Sequence, residues 1–510
     1  MLEKIDLSRK MSKKECKELM DRFEPQLSML QRELKARKIP VTIVFEGFGA
    51  AGKGTLINEL ILPMDPRGFK VYTIQKPTKE EEMHPYLWRF WQKLPEAGRI
   101  NIFDRSWYTK IVETRAEKKK DSDKIENAYN DILDFEEELA QDGMLILKFF
   151  LHISAKEQKK RFKALEDNKE TQWRVTEEDW KHNKNYDEWL QAYEEMIQKT
   201  DTAYGSWTIV EATDREYAKV KIISKVIEIF ADRLADEEAK EKAKKQPVKK
   251  KAAEVKPEEA ATEEAVSPAF TASVLDAVDL SKALTKTVYK KKLNDLQKRM
   301  SLLHSELYKK RIPVVIGFEG WDAGGKGGAI HRLTEAMDPR GYEVFPTAAP
   351  NDFERAHHYL WRFWNHMPKA GHVAIFDRTW YGRVMVERIE GFCSEEDWKR
   401  AYSEINRMEE GLADADAIVL KFWMHIDKDE QKKRFEERME DSFKQWKITD
   451  EDWRNREKWD DYVEAVDEMI LRTSTTYAPW IIVEGNDKYY ARIKVLETVV
   501  NAIEERLKKK

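Results

Sequence analysis

Apolar residues in the C-terminal half of the chain gather into short unbroken runs. These are VVIGFE at 314–319, HVAIF at 372–376, AIVLKFWMHI at 417–426 and WIIVE at 480–484. Runs of this length without polar alternation predict strands covered on both faces, as in a parallel sheet. Between them the pattern shifts to helical spacing. Residues 285–311 read as a Lys-rich amphipathic helix, and another helix follows the glycine loop after VVIGFE. Strands alternating with helices predict an α/β fold with a parallel sheet flanked by helices. Two stretches, 427–440 and 450–472, are highly charged and show too little apolar surface for a core. They predict a mobile helical lid.

The N-terminal half repeats this pattern at one fixed offset, the 273 residues that separate Lys326 from Lys53. That offset superposes YLWRFW at 359 on YLWRFW at 86, and FDRTWY at 376 on FDRSWY at 103. It also superposes Asp338-Pro339-Arg340-Gly341 on Asp65-Pro66-Arg67-Gly68, and Val483-Glu484 on Val210-Glu211. The period is far too long for a solenoid and marks a domain duplication. An Ala/Glu/Lys/Pro-rich stretch lies between the copies. The expected organisation is a first domain at 1–235, a charged, mostly disordered or partly helical linker at 236–272, and a second domain at 273–510.

Composition narrows the function. Charged residues make up 36% of the 510, with a net charge of −4, which excludes a globally basic nucleic-acid binder but not a local basic cleft. Two distant cysteines, Cys16 and Cys393, suggest a reducing compartment. No run of about 18 apolar residues and no secretory leader is legible, so a soluble cytoplasmic protein without membrane contact is expected.

The chemistry lies in GFEGWDAGGKGG at 317–328. Gly320, four residues, then Gly325-Lys326 fit the frame of a phosphate-binding loop (P-loop, or Walker A). Backbone N–H groups at a helix N-terminus cradle phosphate oxygens, and the lysine adds a point charge. The frame then asks for Ser or Thr to hold Mg²⁺, but Gly327 and Gly328 stand there. AIFDR supplies a Walker B acid, Asp377, at the end of an apolar strand. Asp322 lies inside the loop, where an acid repels phosphate unless a cation lies between them. Asp322 and Asp377 are therefore the candidate metal contacts, directly or through water. Arg378 follows the Walker B acid. Arg434 and Arg438 share a face of the first lid helix, and Lys444 and Lys447 follow; on closure these cations meet phosphoryl charge. The alternative for each lid cation is a solvated face paired with Glu430, Glu436 and Glu437. No Ser-His-Asp, Cys-His or zinc arrangement is legible, and His357, His358 and His425 read as packed or surface residues. An acceptor that is already an oxyanion needs no general base. The YLWRFW and DRTWY aromatics read mostly as core, with one or two free to stack a base.

These runs, together with QKKRFEERMEDSFKQWKITDEDWRNREKWDDY and APWIIVEGNDK, resemble the polyphosphate kinase 2 family, and the tandem arrangement resembles its two-domain class II members. The resemblance covers nearly the whole chain apart from the linker. It implies tandem P-loop kinase domains of thymidylate-kinase-like fold, each with a helical lid. It also implies Mg²⁺-dependent transfer of the terminal phosphoryl group of inorganic polyphosphate to AMP, giving ADP. The functional set it implies is Asp322, Lys326, Asp377, Arg378 and Arg438.

The first copy departs from this set. Gly49 stands for Asp322, Leu165 for Arg438, Thr171 for Lys444 and Glu82 for Arg355, although Lys53, Asp104, Arg105 and Arg161 remain. The expectation is a catalytic C-terminal copy and an N-terminal copy that is structural or holds polyphosphate without transferring it. Other readings stay open: an ADP or guanine-nucleotide acceptor, an ATP-dependent nucleoside monophosphate kinase, a non-enzymatic P-loop scaffold, and an oligomer of any order.

Overall fold

The structure, a computed structural model, describes every residue except 118–121, 246–272, 442–447, 449 and 510. Two compact units account for the chain. One gathers Met1–Lys76, Phe90–Glu258 and Arg355–His358; the other gathers Pro77–Arg89, Glu259–Glu354 and Tyr359–Lys510. Among the described residues, no helix is long and apolar enough to cross a membrane.

The first unit runs α1 (Lys13–Ala36), β1 (Val41–Gly47), α2 (Lys53–Ile61), β2 (Phe69–Thr73), β3 (Ile100–Asp104) and α3 (Ser122–Gln141). It continues through β4 (Leu145–His152), α4 (Ala155–Glu166), α5 (Glu177–Lys184), α6 (Tyr186–Thr200), β5 (Trp207–Glu211) and α7 (Arg215–Lys245). The strands form one parallel sheet ordered β2-β3-β1-β4-β5. Residues 236–245 of the expected linker continue α7, and the rest of it lies outside the described residues.

The second unit repeats the plan. Its elements are α8 (Lys286–Lys310), β6 (Val314–Gly320), α9 (Lys326–Thr334), β7 (Tyr342–Pro346), β8 (Val373–Asp377) and α10 (Glu395–Asp414). Then follow β9 (Ile418–His425), α11 (Lys428–Glu440), α12 (Asp450–Glu457), α13 (Trp459–Thr473), β10 (Trp480–Glu484) and α14 (Lys488–Lys508). The sheet is parallel and ordered β10-β9-β6-β8-β7. Every residue of β9 is buried, Lys421 and His425 included, as expected of a central strand covered on both faces. Leu307, Phe318, Leu333, Val483, Val495 and Val499 meet in the core that α8, α9 and α14 make with the sheet.

One expectation needs correction. The charged stretch 450–472 is not all lid, because α13 buries Trp459, Ala465, Val466, Met469 and Ile470. Helical spacing hides an apolar face among its acids. The lid-like part is confined to α11 and α12.

The sheet is tied from behind by a fully buried ion pair. Lys421 Nζ donates to Glu409 Oε2 at 2.8 Å, to Tyr381 OH at 2.9 Å and to the Thr473 carbonyl at 2.6 Å, which uses all three of its donors. Burial pushes the Glu409 carboxyl up and the Lys421 ammonium down, and each charge opposes the shift of the other. Trp380 Nε1 and Tyr381 OH also donate to Glu409, so both DRTWY aromatics are structural. Lys148, Glu136, Tyr108 and Thr200 repeat the arrangement in the first unit. Removing one member of such a pair leaves an uncompensated buried charge. Lys421→Met is expected to cost about 3–5 kcal/mol in urea unfolding. Lys421→Met combined with Glu409→Leu should recover most of that loss; a double variant that loses as much as the two single variants added together would show that the pair is not coupled.

Candidate active site

At the end of β6 the chain must turn within contact distance of β9. A Cβ on Gly320 would stand 2.5 Å from the Met424 carbonyl oxygen, and Gly320 has φ +142°, so only glycine fits. The loop then passes through Ala323 at φ 61° to Gly325 at φ 107°, which starts α9 in the left-handed region. Trp321 anchors the loop. It stacks on Trp459 with ring centres 3.8 Å apart and donates Nε1 to His425 Nδ1 at 3.0 Å. Burial pulls the His425 imidazole down to about 4, so it is a neutral acceptor. Lys326 Nζ arches back to the Gly320 carbonyl at 2.8 Å, which holds its charge over the loop.

The missing hydroxyl leaves room. A Cβ on Gly327 would meet nothing within 4 Å. In the first unit, a Cβ at the equivalent Gly54 would lie 4.0 Å from Asp104 Oδ2. The position after the P-loop lysine therefore looks toward the Walker B carboxylate.

Asp377 ends β8 opposite Phe318 of β6, at the carboxyl edge of the sheet. Arg378 takes a left-handed backbone, φ 67°, and donates its N–H to the Phe318 carbonyl at 3.0 Å. Glu319 braces this turn. Its Oε1 accepts from Thr379 N at 2.6 Å and from Thr379 Oγ1 at 2.8 Å. Burial raises the Glu319 carboxyl, against the pull of Lys326 and the Thr379 bonds. So held, Arg378 turns its guanidinium toward Asp322, Nη2 to Oδ1 at 3.4 Å. The other oxygen of Asp322 accepts from Asn455 Nδ2 of α12 at 3.0 Å. Burial lowers the Arg438 pKa, and so does the nearby Arg434; Asp452 and Asp322 pull it back. Loop acid, Walker B arginine and lid residues thus share one cluster.

Arg434 is placed differently from a free lid cation. It is buried, and it donates to the Ala323 carbonyl at 2.9 Å, to Gly485 O at 2.6 Å, to Asn486 O at 3.0 Å and to Glu430 Oε1 at 2.7 Å. Gln431 beside it donates to the Asp322 carbonyl at 3.2 Å. The base of the lid is therefore bolted to the P-loop. Lys444 and Lys447 lie outside the described residues. Glu319, Asn455 and Asp452 escaped the sequence reading. An acid closing a buried strand in both copies, Glu46 and Glu319, was the available signal for the first; nothing marks Asn455 among its charged neighbours.

The first unit keeps the frame and changes the charges. Arg161 makes the same clamp, to the Ala50, Ala51, Ala212 and Thr213 carbonyls. Lys53 reaches the Gly47 carbonyl at 2.8 Å, and Glu46 braces Ser106, which follows Asp104 and a left-handed Arg105. A Cβ on Gly49, however, would stand 3.3 Å from Phe162 and 3.4 Å from Asp179 Oδ1. The space that a loop acid needs is partly taken. His182 replaces Asn455, and Leu165 replaces Arg438.

The family model described as polyphosphate kinase 2 matches residues 10–240 and again 283–510. A polyphosphate:AMP phosphotransferase of Pseudomonas aeruginosa is 42% identical over 510 residues, covering 100% of both chains. One from Acinetobacter johnsonii is 34% identical over 488 residues, covering 95% of each. A solved structure from Pseudomonas aeruginosa, described as a polyphosphate kinase 2, matches with TM-score 0.85 and 38% identity over 100% of both chains.

The two lid arginines should separate experimentally. Arg434→Ala is expected to destabilise the C-terminal unit by about 2 kcal/mol or more, because it strands buried carbonyls and Glu430. Arg438→Ala should change stability by under about 0.5 kcal/mol. Thermal and urea unfolding of both variants check this, and equal stability losses would contradict the assignment.

Proposed function

This chain belongs to the polyphosphate kinase 2 family, and from that premise we propose that its C-terminal half moves the terminal phosphoryl group of inorganic polyphosphate to AMP, giving ADP. The observation that carries the assignment to this half is Asp322, held within the P-loop between Arg378 and Asn455. The N-terminal half has Gly49 there. The full-length relatives named polyphosphate:AMP phosphotransferase support donor and acceptor.

In this reading the loop N–H groups and Lys326 hold the donor's terminal phosphates. The AMP phosphate oxygen is the nucleophile. It needs alignment and charge neutralisation but no base, and Arg378 and Arg438 supply the neutralisation. Arg434 positions the loop and does not touch substrate. The metal is Mg²⁺, and Asp322 and Asp377 would hold it. Hard carboxylate oxygens and the open space at Gly327 fit such an ion. Among the described residues no group of three His, Cys, Asp or Glu could hold a metal, so donor phosphate and water would have to supply the remaining ligands. When bound, the ion offsets negative charge on the phosphate oxygens. The chain works in the cytoplasm in this reading, where AMP is and where Cys16 and Cys393 stay unpaired. The N-terminal half does not transfer phosphate.

Two measurements test this. Asp322→Asn should lower kcat by at least about a hundredfold, the scale of one main electrostatic contribution; near-normal turnover would remove its metal role. Lys326→Ala should abolish ADP formation from polyphosphate and AMP, whereas Lys53→Ala should keep most of it. Equal, severe losses in both lysine variants would mean two working sites or one composite site, and would overturn the division of labour.

A further inference from the structure

The two halves differ sharply where the P-loop helix packs on the last helix. In the first unit, Glu59 of α2 bridges Lys219 of α7 at 2.9 Å and also pairs with Arg215. One acid thus closes the seam between the helices. The equivalent positions in the second unit are Arg332 of α9 and Lys488 and Arg492 of α14. The acid has become a third cation. Arg332 and Gly328 are four residues apart on α9, and Lys488 and Arg492 are four apart on α14, so each pair shares a helix face.

Arg492 is half-buried and makes no hydrogen bond or ion pair among the described residues. Its guanidinium lies 3.3 Å from where a Cβ of Gly328 would stand. The remaining counter-charges are weak. Arg332 reaches Glu335 at 3.4 Å, a carboxylate shared with Gln297 at 2.8 Å and His331 at 3.4 Å. Lys488 reaches Glu437 of α11 at 3.7 Å. Among the described residues no ion pair joins α9 to α14 at these positions, whereas Glu59 joins α2 to α7 in the first unit.

The location gives the cluster its meaning. In a P-loop the lysine meets the phosphates nearest the transferred group, and the backbone N–H groups cradle those further back along the donor. That path ends at the first turn of α9, at Gly327 and Gly328. A nucleoside triphosphate turns into an uncharged sugar at this point. A polyphosphate goes on as one charge after another, and Arg492 stands there. Glycine at 328 puts no side chain between α9 and the guanidinium, which a Cβ there would crowd; the first unit has Thr55 at that position.

Resting on the proposed function, we propose that Arg332, Lys488 and Arg492 form a donor-tail subsite. It holds the phosphates of a polyphosphate chain behind those in the P-loop and favours that donor over a nucleoside triphosphate.

The test installs the first unit's solution in the second, Arg332→Glu with Arg492→Lys. This pair should form the bridge already seen at Glu59 and Lys219, so the melting temperature should not fall. Arg492→Gln serves as a second variant. Direct binding is measured for long-chain polyphosphate and for tripolyphosphate, across a salt series, alongside KM for AMP. Long-chain affinity should weaken by about tenfold or more, with a shallower salt dependence, since lost phosphate contacts release fewer counterions. Tripolyphosphate affinity and KM for AMP should move by less than about twofold, well under the scale of one charged hydrogen bond. Unchanged long-chain binding in both variants, or equal weakening for long and short chains, would overturn the subsite. The reading beneath it fails separately: wild-type protein would then make no ADP from polyphosphate and AMP.

Discussion

A single buried guanidinium ties together the elements around the P-loop. Arg434 joins the P-loop through Ala323, the turn after β10 through Gly485 and Asn486, and its own lid helix through Glu430. A charge this deep persists only when its donors find carbonyl and carboxylate oxygens. The bonds also fix three elements relative to one another. The placement of Asp322 follows from this clamp, because Gln431, one turn of backbone away, grips the Asp322 carbonyl. The N-terminal part of α11, up to Arg434, is thereby tied to the P-loop.

The duplication separates scaffold from chemistry within one chain. Features that recur in both units build the fold: Arg161 with Arg434, Glu46 with Glu319, Lys148–Glu136 with Lys421–Glu409, and the left-handed Arg105 with Arg378. These cannot explain why one half is assigned transfer and the other is not. The differences fall around the proposed phosphate path: Asp322 against Gly49, Arg438 against Leu165, Arg332 against Glu59. Each change in the second unit places charge where a polyanion and its counter-ion would lie. In the first unit Gly49 yields its space to Phe162 and Asp179, Leu165 carries no charge, and Glu59 closes a salt bridge.

Four of the five strands of the second unit are legible in the sequence as unbroken apolar runs. The exception is β7, Tyr342–Pro346, an edge strand whose residues are only partly buried, so that no such run marks it. The lid was read too long because α13 spaces Ala465, Val466, Met469 and Ile470 at helical intervals among acids, and a count of apolar residues misses a face. The P-loop and Walker B residues were readable because their chemistry needs particular residue types at particular spacing. The clamp was not. Sequence spacing puts Arg434 and Arg438 on one helix face, but only tertiary structure shows that one meets backbone carbonyls while the other lies near Asp322 and Asp452. Asn455 is silent in the sequence, and Glu319 is marked only by its recurrence as Glu46, since the roles of both depend on partners more than fifty residues away.

The central claim is that the donor is a polyphosphate and the acceptor AMP. Its most direct test is to incubate the full chain with Mg²⁺ and AMP, supplying either polyphosphate or ATP, and to resolve all phosphorus-containing products by phosphorus NMR. The account predicts ADP in the polyphosphate reaction, with one chain phosphate lost for each ADP formed, and far slower ADP formation with ATP. ADP formed readily from ATP and not from polyphosphate would contradict it.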